Sequence, residues 1–274
     1  MRIALFQMTA GIDPAVNARA LTDAIAQAAA GGAQMLFTPE MSGLLDKDRA
    51  RSEQVIRSED EDDVLAIVRA EAKARGLWVH LGSLAIRDAA SSKRRNRGFL
   101  IDPMGAIRAR YDKMHLFDVD LAGGETYRES NAYVAGEQAV LARTPLGNLG
   151  LTICYDLRFP DLFRALSDAG ADIISVPAAF TVPTGEAHWH VLLRARAIES
   201  SAFIIAAAQT GLHEDGRRTY GHSLIVDPWG TVLLDAGDQP GVYFADLSLD
   251  QLAEVRGKIP VLQHRKSVLD VVIS

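Results

Sequence analysis

The sequence predicts an α/β protein with mixed sheets, and three observations carry that reading. Apolar strand-like runs alternate with helical stretches from the first residues to Gln209, an order that lays strands under helices. Two further segments, Asn96–Asp112 and His222–Ala236, each join two apolar runs through Asp-Pro-x-Gly. Proline sets such a turn and glycine supplies its positive φ, so each segment adds an antiparallel hairpin. No linker interrupts the chain: the most polar stretch, Arg87–Gly98, reads as one exposed loop, and residues 1–274 are expected to form a single domain.

The elements follow in order. Arg2–Gln7 is a first strand, and Asp13 caps a helix with Pro14 at its first position. That Ala-rich helix stops at Gly31-Gly32, and MLFTPE follows as a short buried strand ending at Pro39-Glu40. A second helix fits Asp62–Arg75, closed by Gly76, and LWVHLGSLAI supplies the next strand before the first hairpin. The second half adds strand LGLTIC ending at Cys154, a helix from about Asp161 to Ala169, strand ADIISVPAAF, a long helix across Ala187–Ser200 and strand FIIAAAQ. The second hairpin repeats the design of the first, which suggests two similar halves.

Composition narrows the function. With 29 Lys+Arg against 35 Asp+Glu, the net charge of -6 leaves no basic stripe to neutralise phosphates, so a nucleic-acid partner is excluded. A single cysteine excludes an internal disulfide framework and any multi-thiolate zinc site. The N-terminal apolar stretch breaks at Gln7, too early for a secretory signal, and the run Ala202–Ala208 falls far short of the ~18 residues of a membrane span. A cytoplasmic protein without membrane insertion is expected.

Cys154 sits where a strand ends and Tyr155-Asp156-Leu157-Arg158-Phe159-Pro160 turns toward a helix, a position that suits a nucleophile as well as it suits a buried small hydrophobe. A thiol acting there needs a base or a cation close by. Glu40 and Lys113 each follow a strand end, although a capping carboxylate and a surface lysine would look the same in sequence. His188 and His190 resemble a metal pair, but two residues apart on a helix they point in different directions, and no metal site is expected.

The segments FTPEMS, YDKMHLFDVD, LTICYDLRFPDLF and HWHVLLRARAIES, in this order, resemble the glutamate, lysine and cysteine motifs of the nitrilase superfamily of carbon-nitrogen hydrolases. The resemblance reaches from the first strand to IPVLQHRK near the C-terminus. It implies Glu40 as general base, Lys113 as cationic stabiliser, Cys154 as nucleophile forming a thioester, and a second buried glutamate, Glu129 in TYRES, with Glu125 as the nearer alternative. It implies an α-β-β-α sandwich of two mixed sheets, a homodimer associating through outer helices, and no cofactor.

Nitrilases proper carry Trp-Glu after the nucleophile and carbamoylases often Asn-Asp-Arg-Arg, whereas this chain has Tyr155-Asp156 and resembles the amidases of small carboxylate-bearing amides, with ammonia as product. Arg158 is a candidate for the substrate carboxylate, or else a brace paired with Asp161. Tyr155, through its backbone N–H, and Phe180 and Thr184, beyond the next strand end, are the other expected substrate-binding residues, and Phe180 fits the core equally well. Arg194 and Arg196 are expected to fix subunit packing or buried acids. The branch acting on deaminated glutathione is the closer resemblance; one acting on ω-amides of keto acids such as α-ketoglutaramate, and an idle scaffold, are the alternatives.

Overall fold

The structure is a computed structural model that describes residues 1–120, 126–266 and 272–273. Its first half runs β1 (Arg2–Gln7), α1 (Pro14–Ala30), β2 (Met35–Phe37), α2 (Arg49–Val55), α3 (Asp63–Arg75), β3 (Trp78–Arg87), β4 (Arg94–Ile101) and β5 (Ile107–Asp112). A short ribbon follows, β6 (Asp118–Asp120) with β7 (Thr126–Arg128). The second half begins β8 (Val140–Thr144), β9 (Gly147–Leu151), α4 (Pro160–Asp168), β10 (Ile173–Ser175), α5 (Val182–Ser200) and β11 (Phe203–Ala206). It continues through β12 (Thr210–Leu212), β13 (Arg218–Tyr220), β14 (Leu224–Val226) and β15 (Val232–Asp235) to β16 (Gly241–Asp246), α6 (Asp250–Lys258) and α7 (Val261–His264).

Two six-stranded sheets result, ordered β16-β1-β2-β3-β4-β5 and β15-β14-β11-β10-β9-β8. In each, three consecutive strands are parallel and the flanking ones antiparallel, so the β4–β5 hairpin of one half answers to β14–β15 of the other. The two Asp-Pro-x-Gly turns are built alike. Asp102 Oδ1 accepts from Met104 and Ala106 N–H as Asp227 Oδ1 accepts from Trp229 and Thr231, with Gly105 and Gly230 at positive φ.

Strand alternation explains the layering. Ile3 and Leu5 of β1, with Met35 and Phe37 of β2, join the core between the sheets, while Ala4, Phe6 and Leu36 face the other way into the core under α1 and α3. On the opposite side, Phe163 and Leu166 of α4 and Trp189 and Leu193 of α5 cover the second sheet. The fold is therefore a four-layer α-β-β-α sandwich.

Helix ends follow the sequence. Asp13 and Asp62 accept from Ala15 and Leu65 N–H as side-chain caps, and Gly76 ends α3 in the left-handed region. Some readings need correction: of ADIISVPAAF only Ile173–Ser175 is strand, and the long helix begins at Val182 rather than Ala187. The strand expected to run to Cys154 stops at Leu151, because Thr152 and Cys154 N–H turn to Ser175 and Pro177 carbonyls and the backbone breaks into a 3-10 turn. The polar stretch Arg87–Gly98 is not one exposed loop: from Arg94 onward it is β4, with Arg95 and Arg97 on Asp88, Asp112 and Glu59 while Arg94 and Asn96 are buried.

Between the sheets, His80 of β3 meets Ser175 Oγ of β10 at 3.2 Å. Burial pushes the pKa of this imidazole down to about 3. Below pH 6.5 the unfolded chain takes up a proton that the folded one refuses, so this residue removes stability as pH falls from 6.5 toward 3. Denaturant melts at pH 7 and pH 5 should show the native chain losing about 2 kcal/mol more than His80→Gln over that interval. Equal losses would place the pH sensitivity elsewhere.

Candidate active site

Three chain segments leaving strand ends bring Glu40, Lys113 and Cys154 together. Beyond β2, Ser42 Oγ donates to the Pro39 carbonyl at 2.6 Å and Gln209 Nε2 to the Glu40 carbonyl at 2.9 Å, which fixes the backbone that carries the glutamate. Gly82 lets that backbone pass: a Cβ there would sit 2.1 Å from the Thr38 carbonyl oxygen. Lys113 follows β5, held by its own N–H on the Asn96 carbonyl and by Gly136 N–H on its carbonyl. Cys154 opens the 3-10 turn Cys154–Arg158 with φ of 50°, a strained conformation for a residue with a side chain.

Lys113 Nζ donates to Glu40 Oε1 and Glu129 Oε2, both at 2.9 Å. Asn96 Nδ2 bridges the same carboxylates at 2.8 and 3.1 Å. Backbone N–H groups complete the set, Ala179 on Glu40 Oε2 and Phe117 on Glu129 Oε2. Glu40 and Lys113 are almost wholly buried, at 4% and 2% exposure, so each depends on these partners for its charge.

Protonation follows from that packing. Burial opposes the charge of Glu40, but the Lys113 ammonium and hydrogen bonds from Cys154, Lys113 and Asn96 hold the carboxyl below its usual range. Burial likewise opposes the charge of Lys113, and Glu129 and Glu40 overcome it, so the amine stays protonated. For Cys154, burial and the neighbouring Glu40 carboxylate push the thiol well up, against the pull of Lys113. The resting site is thus a protonated thiol facing a carboxylate and an ammonium.

Asp156 locks the turn. Its fully buried carboxylate accepts from Tyr111 Oη at 2.7 Å and Ile153 N–H at 2.9 Å through one oxygen, and from His115 N–H and Nδ1 at 3.0 and 2.7 Å through the other. The cysteine turn and the lysine loop are therefore tied to the same carboxylate. Arg196 Nε adds a bond to the Leu157 carbonyl and pairs with half-exposed Glu199 rather than a buried acid, while Arg194 binds the Gly230 carbonyl.

A cavity of about 770 Å³ opens above the thiol. All the sequence-derived candidates line it: Glu40, Lys113, Cys154 and Glu129 with Tyr155, Arg158, Phe180 and Thr184. Phe180 satisfies both of its readings, since it is buried against Trp189 while facing the cavity. Arg158 does not brace Asp161. Its guanidinium lies over the Tyr155 and Phe180 rings and meets only His188 Nδ1, at 3.3 Å, with no carboxylate partner among the described residues. Glu125 lies outside the described residues.

Asn96 and Asp156 were missed as site residues. Asn96 sits in an Arg-rich run that reads as loop, its signal being the alternation of that run; Asp156 shows in the sequence only as part of a motif, because Tyr111 and His115 reach it only in the fold. Asn96→Asp should set a third carboxylate against one ammonium and force uptake of a proton, lowering kcat at pH 7.5 by on the order of 10²-fold with much of the loss recovered toward pH 5.5. An unchanged kcat–pH profile would make Asn96 a spacer only.

The family model described as carbon-nitrogen hydrolase matches residues 2–257. A deaminated glutathione amidase of Yersinia enterocolitica is 41% identical over 98% of this chain and 94% of its own length, and the one of Homo sapiens is 39% identical over 96% and 82%. Among solved structures, the Caenorhabditis elegans NitFhit protein superposes with a TM-score of 0.90 at 36% identity over 97% of this chain, which spans 65% of that longer chain. A Glu-to-Gln mutant of the amidase from Nesterenkonia sp. AN1, captured after Michael addition of acrylamide at its active-site cysteine, matches with a TM-score of 0.80 at 31% identity over 95% and 98% of the two chains.

Proposed function

This chain belongs to the carbon-nitrogen hydrolase family of the nitrilase superfamily, and from that premise we propose that Cys154, Glu40 and Lys113 hydrolyse the amide bond of a carboxylate-bearing substrate, with deaminated glutathione the best candidate. The observation that carries the reading is the convergence of Cys154 with the 2.9 Å Glu40–Lys113 ion pair in the lining of one cavity.

The geometry supports the following sequence. As Sγ attacks the amide carbon, its proton passes to Glu40 and the carbonyl π pair moves onto oxygen, where Lys113 Nζ and the Tyr155 N–H stabilise it. The amide of Tyr155, in the first turn of a 3-10 segment, has no acceptor within that turn, which leaves it available to the oxyanion. Glu40 then gives its proton to the departing nitrogen as the C–N bond breaks, and a thioester remains on Cys154. A water deprotonated by Glu40 attacks the thioester, and the expelled sulfur recovers the proton as the acid leaves. Glu129 keeps Lys113 in place throughout, through its 2.9 Å bond. Ammonia leaves from a primary amide; from deaminated glutathione, whose amides are secondary, the nitrogen leaves as an amine attached to the rest of the peptide.

Two features favour the larger substrate. The cavity is of the size that holds drug-sized ligands, roughly 300–1,000 Å³, more than a five-carbon keto amide fills. Arg158, with no carboxylate partner among the described residues, offers a planar fork to a substrate carboxylate, and Thr184 stands at the same wall. The same reading makes the protein a cytoplasmic homodimer packed through outer helices, with Val191 and Ile198 exposed on α5 as its support. Among the described residues no helix is long and apolar enough to cross a membrane.

Kinetics on a panel of deaminated glutathione, α-ketoglutaramate and propionamide tests this directly. The highest kcat/KM is expected for deaminated glutathione, and Arg158→Lys should lower kcat/KM for the two carboxylate substrates about tenfold more than for propionamide. Preference for α-ketoglutaramate would assign the ω-amide reading, equal losses on all three would make Arg158 structural, and no turnover of any would leave the scaffold reading.

A further inference from the structure

His188 and His190 part company on α5 as the sequence implies, His188 toward Arg158, but His190 does not end in solvent. Its Nε2 lies 2.8 Å from Asp235 Oδ2 at the end of β15, and His222 Nδ1 lies 2.8 Å from the other oxygen of the same carboxylate. The three ligand atoms all fall within 4.8 Å of one another. We propose that His190, His222 and Asp235 form a binding site for a borderline divalent transition-metal ion such as Zn²⁺, separate from the catalytic cavity.

Several features point to an ion rather than to a surface hydrogen bond alone. The donors come from three different segments, a helix, a loop and a strand end, and each is held by contacts of its own. His222 is fixed at φ of 53°, its N–H on the Gly237 carbonyl at 2.7 Å, its carbonyl under Trp189 Nε1 at 2.8 Å and its ring stacked on Tyr220. Asp235 Oδ1 also accepts from Gly237 N–H at 2.9 Å. A positive φ on a residue with a side chain is strain, and here it turns one imidazole toward another across a shared carboxylate. Metal ligands are oriented in this way before the ion arrives.

Two imidazoles and one carboxylate suit zinc, nickel or cobalt, whereas magnesium and calcium prefer all-oxygen sets. Zn–N and Zn–O bonds of about 2.0–2.2 Å put neighbouring ligands about 3.3 Å apart in a tetrahedron, so a 2.8 Å His–Asp contact would open by about half an ångström while the wider separations, which reach no further than 4.8 Å, would close. On binding, a neutral imidazole that donates to Asp235 moves that proton to its other ring nitrogen, and no redox step is involved. The side chains of all three are between 27% and 35% exposed, which leaves a face for water or another ligand. An ion there would tie α5, whose first turn forms part of the cavity wall, to the β14–β15 hairpin.

The test uses untagged full-length protein with Cys154 carboxamidomethylated, so that the thiol cannot bind metal. Calorimetric titration with ZnCl₂ alone should give one ion per chain at micromolar affinity, and MgCl₂ should give no heat of binding. His190→Gln, which keeps an amide donor for Asp235, and Asp235→Asn should each weaken Zn²⁺ binding at least tenfold, while His264→Gln, on an exposed histidine elsewhere, should not change it. Co²⁺ should develop visible absorption in the parent and not in the two site variants. Saturating Zn²⁺ should raise the Tm of the parent by several degrees more than that of either variant, a readout that survives any loss of basal stability. Absence of one-to-one binding, or binding that both site variants retain in full, would overturn the proposal and leave a hydrogen-bonded His-Asp-His cluster.

Discussion

The Lys113 ammonium, buried between two carboxylates, is the constraint on which the rest of the site depends. A lysine at 2% exposure is charged only because Glu40 and Glu129 each hold it at 2.9 Å, and each carboxylate is tolerable in the interior only because Lys113, Asn96 and a backbone N–H serve it. Removing one partner from such a buried set costs about 3–5 kcal/mol, since the others keep their charge without compensation. The same arrangement fixes the proton on sulfur at rest. Glu40 is ionised because Lys113 is there, and burial together with that negative charge raises the thiol, so the sulfur holds its proton until a base can take it.

The sandwich exists, in functional terms, to hold that cluster in register. Glu40 and Lys113 come from the first sheet and Cys154 from the second, so the catalytic distances are set by how the two sheets stack. Contacts across the gap maintain the stacking, His80 on Ser175 at 3.2 Å and Tyr111 on Asp156 at 2.7 Å. Asp156 carries the coupling furthest, since its two oxygens bind the backbone just before the cysteine and the loop after the lysine together. Its neighbour Arg158, by contrast, is left with aromatic faces and a histidine, an arrangement suited to an incoming anion.

Much of this was legible in the sequence, and what was not has physical reasons. Asp13, Asp62 and Gly76 announce helix ends through local hydrogen bonding, and the two Asp-Pro-x-Gly turns announce hairpins, because both signals act within a few residues. Glu40, Lys113 and Cys154 could be found singly as charged or reactive groups at strand ends; only the family motifs joined them, since their proximity depends on contacts between sheets that local pattern does not encode. Asn96 was hidden because arginines surround it, and those arginines are accommodated by Asp88, Asp112 and Glu59 rather than by solvent. Helical spacing separates His190 from His188, and local pattern carries no sign of His222 arriving from another loop.

The central claim, that Glu40 shuttles the proton while Lys113 stabilises the oxyanion, is tested most directly by weighing the intact protein after rapid acid quench with a turning-over amide. In Glu40→Gln the pocket keeps its shape but water is no longer activated, so slow acylation should be followed by a persistent adduct of the acyl mass on Cys154. In Lys113→Ala the tetrahedral state itself is lost, kcat should fall on the order of 10²-fold or more, and no adduct should accumulate. An acyl adduct trapped on Lys113→Ala and never on Glu40→Gln would contradict the account and exchange the two roles.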